Sequence, residues 1–410
     1  MGRAALWWTL LALCAGGLYA LQVAGREGGP GEGPSAAEEF AGRYAVGAAR
    51  ALPGAAVLER MRLDELPPRA RLRMVPVLGE VLGTERARAE LERLREGLGA
   101  DPDFKMFSRI HGELSPPVPD AGFVRRNGWF ARLALSRGLP DDHPLRREVL
   151  GKASRTFLGA MLATLGGLAA LVLGVVLLPL GLAALRRGRL RFAFEPPPRA
   201  PGDHVWLETT TIFLAGTIAT AFLGLWFMWA LLLVPLWPLA RGVPRGEWRA
   251  GLGLSRGRGL AKEVRAGVVG YLAGMPVFAA GALLTVLIAR VTGKPLSHPA
   301  IDEAASGEAF PLARLFLAAC VWAPLVEEAC FRGALQRYLR ARMPRVAAAA
   351  LVGAVFAFVH PQGPAAIPAL LAVGGWLAML REWRGSLVAC VAAHALHNLA
   401  LVSLATLALR

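Results

Sequence analysis

The chain has 410 residues, 55% of them hydrophobic, and a mean hydropathy of +0.44. Several apolar runs reach the roughly 18–20 residues that cross a bilayer, which excludes an ordinary water-soluble globule. The formal net charge is +16, but the arginines cluster in short loops between apolar runs and no RNA- or DNA-binding motif accompanies them. The basic balance therefore follows the positive-inside rule, with a lipid bilayer rather than nucleic acid as the partner.

Residues 1–25 hold a nearly unbroken apolar stretch behind a short Met-Gly-Arg start. It is longer than a usual signal-peptide core and reads as a membrane anchor, with a signal segment as the alternative. Residues 26–155 change character. A Gly/Pro-rich tether opens them, and charged helical stretches follow, such as Thr84–Gly97 with Leu91, Leu94 and Leu98 at helical spacing. Pro-rich breaks fall at Pro116–Pro119 and Pro140. This is a small, mostly helical soluble region in which no site stands out, and His111 and His143 read as ordinary surface histidines.

Residues 156–249 carry additional spans and basic loops. The run 156–185 is a clear membrane helix that ends on a basic flank from Arg186 to Arg191. The run 205–240 is basic at both ends, so a bent hairpin keeps both flanks on one side, whereas a single crossing breaks the charge rule. With the hairpin, the later spans alternate consistently, and an acidic loop through Asp302, Glu303 and Glu308 lies outside. The fold class is all-α: a polytopic membrane bundle of about eight or nine transmembrane helices with a soluble helical N-terminal region. The location is the cell (inner) membrane, with residues 26–155 extracytoplasmic.

The four cysteines, Cys14, Cys320, Cys330 and Cys390, sit in apolar segments without a CxxC pair. They read as small buried side chains, neither a disulfide framework nor a structural zinc site.

The chemistry lies in residues 250–410. An apolar helix carries Glu327, Glu328 and Arg332. Ionisable groups there are expensive and mark function. Glu328 and Arg332 are four apart and can pair, while Glu327 points about 100° away and stays available. His360 closes the next apolar segment before Pro361, where a residue leaves helical geometry. His394 and Asn398 share one face of the last span, with His397 on its flank. At about 1.5 Å per residue, Glu327 and His360 each lie on the order of 20 Å from the basic turn near Pro344, so the groups can meet at one depth. Together they can activate water: a carboxylate as general base, an imidazole to orient or share the proton, and His394 with the Asn398 amide as donors to an oxyanion. A proton or substrate path in a transporter remains a second reading of the same residues. A third is a catalytically silent immunity-type or scaffold protein.

At these positions the chain resembles the CAAX-protease and bacteriocin-processing (CPBP, or Abi) family of intramembrane proteases. The motifs are Glu327-Glu328-Ala-Cys-Phe-Arg332, Phe356-Ala-Phe-Val-His360 and His394-Ala-Leu-His-Asn398. The resemblance covers roughly residues 250–410. It implies that Glu327 and His360 activate the attacking water, that His394 and Asn398 line the oxyanion hole, and that Glu328 and Arg332 support the site. The implied substrate is a membrane-associated or lipidated protein or peptide; the sequence has no HExxH, and the glutamate–histidine set can act without a cofactor. The family is often labelled metalloprotease; if zinc takes part, Glu327, His360 and His394 are the ligands available.

Overall fold

The computed structural model describes residues 3–24, 33–52, 63–112, 121–195, 197–293 and 309–409, and these form helices and no strands. Most of the tether, the Pro116–Pro119 break and the acidic loop through Glu308 lie outside them. Chain contacts divide the protein into two compact units, one mainly of residues 29–165 and one of residues 1–28, 166–300 and 308–402, with short further pieces in the first.

The first unit is built from α2 (Ala36–Ala51), α3 (Pro68–Val81), α4 (Thr84–Leu98), α5 (Pro102–Gly112), α6 (Ala121–Leu135) and the start of α7 (Pro144–Arg186). Ser35 opens α2 with a capping box. Its hydroxyl accepts from Glu38 N, and the Glu38 carboxylate accepts from Ser35 N. Two of the orphan N–H groups at that helix start are thus satisfied locally. Leu91 and Leu94 on α4 join Phe104, Phe107 and Phe123 in one apolar cluster, and Trp129, Phe130, Leu133, Val149 and Leu150 form another.

His111 departs from expectation. His143 is exposed, but His111 is buried and neither ring nitrogen has a hydrogen-bond partner among the described residues. Burial first, then Arg137 and Arg88, push its pKa down to about 4.

The second unit holds α1 (Arg3–Ala24) and the spans of a multi-pass membrane protein. Six helices among the described residues are long and apolar enough to cross: Pro144–Arg186, Val205–Leu223 (α8), Leu260–Thr292, Ala309–Arg340, Pro364–Arg384 and Leu387–Leu407. Two shorter apolar helices, Trp226–Ala240 and Arg345–Val359, accompany them. The expected bend between 205 and 240 is present. Gly224 at φ 86° ends α8, in a conformation that only glycine adopts cheaply. The chain returns as a 3-10 stretch, Leu225–Leu236. That winding rises about 2.0 Å per residue against 1.5 Å in an α-helix, so a dozen residues reach about 24 Å. At the far end Trp237 Nε1 and Arg241 Nε donate to Glu208 Oε2 at 2.8 and 3.1 Å. Glu208 is in the first turn of α8, so both basic flanks finish side by side.

Glycines bring two of the site's helices into backbone contact. A Cβ on Gly353 would lie 2.7 Å from Gly375 N, and one on Gly374 would lie 3.0 Å from Gly353 Cα. Small residues at such a crossing let helices approach closely where no hydrophobic effect drives them together.

The His111 imidazole favours its neutral form when folded. An unfolded chain, with an ordinary value near 6.5, binds the proton more readily. Stability from this group is complete above about pH 6.5 and is lost as pH falls toward about 4, by up to ~3 kcal/mol. Hydrogen exchange of amides in α3 to α5 should quicken over that window. In His111→Phe this share of the pH dependence should vanish, leaving only the carboxylate contribution.

Candidate active site

The helix Ala309–Arg340 is not uniformly α. It winds as π-helix over Ala318–Trp322 and again over Glu328–Leu335, with an α turn, Ala323–Glu327, between them. The first irregularity has a covalent cause. Ala323 N–H bonds Ala318 O, and the next residue, Pro324, has no N–H. Neither residue can serve Ala319 O. Asn398 Nδ2, from the last span, donates to that carbonyl at 2.7 Å. Such π segments are rare and gather at functional sites.

Where the α turn passes into the second π segment the adjacent acids part company. Glu328 and Arg332 are fully buried, with Arg332 Nη1 donating to Glu328 Oε1 at 2.8 Å. The same oxygen stands 2.8 Å from His394 Nδ1. Arg332 Nη2 donates to Gly374 O at 2.9 Å, and the Arg332 guanidinium lies 4.7 Å above the Phe356 ring. The ladder continues by fours. Gln336 Nε2 donates to Ala378 O and to Glu382 Oε1, and Arg340 Nε donates to Glu382 Oε1. A row of polar side chains on one helix thus meets carbonyls and a carboxylate on the next, as buried polar groups in lipid require.

Glu327 remains partly accessible. Its Oε2 lies 3.7 Å from His360 Nε2 and 4.0 Å from His394 Nε2, and takes no hydrogen bond among the described residues. His360 caps the end of Arg345–Val359 with extended backbone, as Pro361 dictates. Its Nδ1 is 2.6 Å from Phe356 O, and its ring stacks against Phe356 at 4.0 Å between centroids.

These bonds assign the protons. A carbonyl only accepts, and so does a carboxylate paired with arginine, so Nδ1 of both histidines carries the hydrogen. Each ring then turns its Nε2 toward Glu327 Oε2. Three polar atoms from three chain segments converge on one spot, a spacing that suits one water between them. His394 can donate from Nε2 only after gaining a second proton there.

Residues 309–400 match the family model described as Type II CAAX prenyl endopeptidase Rce1-like. The matched segment contains Glu327, Glu328, Arg332, Phe356, His360, His394 and Asn398, in agreement with the CPBP resemblance. At the level of the family the match carries a CAAX-protease-like intramembrane endopeptidase, a hydrolase acting on membrane-associated protein or peptide substrates. No curated protein and no solved structure matches the chain.

The structure brings Glu327, His360 and His394 together and stacks Glu328 and Arg332 behind them. Asn398 bonds the helix backbone with one amide proton and keeps the other. All four cysteines are free thiols, and Cys330 and Cys390 are fully buried. His397 leans on Tyr271 and Phe278 at about 6 Å (5.9 and 6.0 Å between centroids), its Nδ1 without a partner among the described residues. Unforeseen were the Gly374 carbonyl and the Gln336–Glu382–Arg340 ladder. A signal for the ladder was present, since Gln336 and Arg340 continue the four-residue spacing that begins at Glu328.

Removing one partner of a buried ion pair leaves the other uncompensated. Arg332→Leu should lower stability by about 3–5 kcal/mol, read from thermal unfolding in detergent. Adding Glu328→Leu should recover part of that stability. Turnover should stay low in the double variant, because His394 has lost the acceptor that holds its ring.

Proposed function

We propose that the protein is an intramembrane endopeptidase of the cell (inner) membrane. It cleaves peptide bonds of membrane-associated or lipidated proteins with water activated by glutamate and histidine. The reading rests above all on one observation: Glu327 Oε2 stands within 4.0 Å of two imidazole nitrogens from two other helices, inside an apolar bundle. We also infer that residues 26–155 face the extracytoplasmic side, since the positive-inside rule puts the basic turns after Arg186, Arg241 and Arg337 in the cytoplasm.

In this mechanism a water sits between Glu327 Oε2 and the Nε2 atoms. One proton passes to the carboxylate and the other is held by an imidazole, so an oxygen lone pair faces the substrate carbonyl carbon. Attack forms a tetrahedral oxyanion. The imidazole that takes the water's second proton becomes a donor to this oxyanion, and for His394 the resulting imidazolium is stabilised by Glu328 behind it, the arrangement used in hydrolytic triads; that proton returns to solvent as the product carboxylate departs. The second amide proton of Asn398 is the other candidate donor. Glu327 then delivers its proton to the departing amine, and the peptide bond is broken with no covalent enzyme intermediate. Cys330 takes no part, because its thiol is sealed in the core.

Zinc has a suitable donor set here in kind but not in spacing. Ligands at about 2.0–2.2 Å around a tetrahedral ion stand about 3.3–3.5 Å apart. The separations from Glu327 are 3.7 and 4.0 Å. Among the described residues no group of three His, Cys, Asp or Glu side chains is arranged to hold a metal. The spacing supports a metal-free route, so no step is drawn through a metal.

Two measurements test the proposal. Membrane peptides from cells carrying the wild type should include a cleavage product that disappears with Glu327→Ala while protein level holds, a loss of roughly 10²–10⁴-fold in rate. An unchanged peptide profile, above all with proton-dependent uptake in liposomes, would turn the assignment toward transport. A chelator should leave purified enzyme active; full loss restored by zinc would replace the metal-free mechanism.

A further inference from the structure

Thr209, Thr210 and Thr211 stand in a row on α8, outside the segment that matches the family. All three are buried. Thr209 Oγ1 donates to Val205 O and Thr211 Oγ1 to Leu207 O, each at 2.9 Å. That is how a helical hydroxyl is usually satisfied, by the carbonyl one turn back. Thr210 behaves differently. Its own-helix carbonyl, Trp206 O, is 3.5 Å away, whereas Cys330 O is at 2.9 Å. A hydroxyl has one proton to give, and the shorter, interhelical bond takes it.

Cys330 lies between Glu328 and Arg332 in the second π segment. One turn along α8, Phe213 meets Phe331 edge to face at 5.7 Å, so α8 grips the same turn twice. A π turn holds more residues than an α turn, so its presence decides where neighbouring side chains point around the helix axis. The other π segment is gripped in the same manner by Asn398 on Ala319 O. The α turn ending in Glu327 is therefore bounded by two irregular turns. Each has a backbone carbonyl taken by a side chain from another helix.

We propose that Thr210 is a positioning residue of the active site: its hydroxyl, donated to the Cys330 carbonyl, holds the π winding that keeps Glu328 against His394 and Glu327 toward His360. This rests on the proteolytic reading above. It gives α8 a part in catalysis although none of its side chains reaches the reacting atoms.

The test uses the full-length protein in detergent or nanodiscs. Thr210→Val keeps the side-chain shape and removes the donor. It should lower kcat about tenfold, with KM unchanged, per folded molecule. Thr210→Ser restores the hydroxyl and should return kcat to within about twofold of wild type. Thr209→Val and Thr211→Val, whose hydroxyls serve only their own helix, should leave kcat unchanged. A readout that needs no activity is the Cys330 carbonyl ¹³C resonance in protein labelled at cysteine carbonyls. It should move upfield in Thr210→Val and stay in place in Thr210→Ser. If Thr210→Val does not fold, Thr210→Ala provides the donor-free state. A donor-free variant with wild-type kcat, a change confined to KM, or a Cys330 resonance that does not move would each overturn the inference. If the wild type cleaves nothing, the proteolytic reading fails by itself, and the resonance still decides whether the Thr210 bond exists.

Discussion

One carboxylate oxygen holds the site together. Glu328 Oε1 accepts from Arg332 and from His394, each at 2.8 Å, and Arg332 reaches on to Gly374 O. Helices Ala309–Arg340, Pro364–Arg384 and Leu387–Leu407 are therefore joined through a single buried node. An ion pair taken out of water is not automatically stabilising, because desolvation opposes the Coulombic gain. What this pair contributes is specificity of arrangement. A charge with no solvent to retreat to accepts few geometries, and here the accepted one orients the imidazole that faces Glu327.

The close crossing of Gly353 and Gly374 belongs to the same constraint. Arg332 finds a carbonyl on the neighbouring helix only because that helix sits in a backbone-contacting bundle. Larger side chains there would separate the helices and leave a guanidinium N–H unpaired in a dry interior, which costs several kcal/mol. The Gln336, Glu382 and Arg340 contacts repeat the device toward the basic end of the helix. Polarity along this seam thus runs from Glu327 at one end to Arg340 at the other.

Much of this was legible because it follows from periodicity and charge. Four-residue spacing put Glu328 beside Arg332, Pro361 forced His360 out of the helix, and paired basic flanks required the 205–240 run to turn back. What stayed hidden depends on backbone winding and three-dimensional partners. Nothing in the spacing shows that two stretches wind as π-helix, although Pro324 is the covalent reason one carbonyl there is orphaned. Nor does it show that the middle threonine of three identical neighbours looks outward to another helix. His111 was misread because a lone histidine in a charged stretch is usually exposed, whereas here it is buried in the soluble unit. The 3-10 winding of Leu225–Leu236, which lengthens the return stretch, likewise has no signature in the spacing.

Glu327 and Glu328 are neighbours in sequence and have opposite surroundings. Identical in chemistry, they differ by one step of rotation about a helix axis. That step gives Glu328 an arginine and an imidazole proton on the same oxygen, making it a fixed acceptor. It leaves Glu327 Oε2 facing two imidazole Nε2 atoms at 3.7 and 4.0 Å, with no hydrogen bond among the described residues. A buried carboxylate oxygen without a bonded partner is costly unless something with a proton to give stands beside it. Water is the simplest such species, since it can donate to the carboxylate oxygen and still bond a neighbouring ring nitrogen. The unpaired Oε2 of Glu327 is in this sense the counterpart of the saturated Oε1 of Glu328. The acid that is held by arginine and imidazole leaves its neighbour open to other partners.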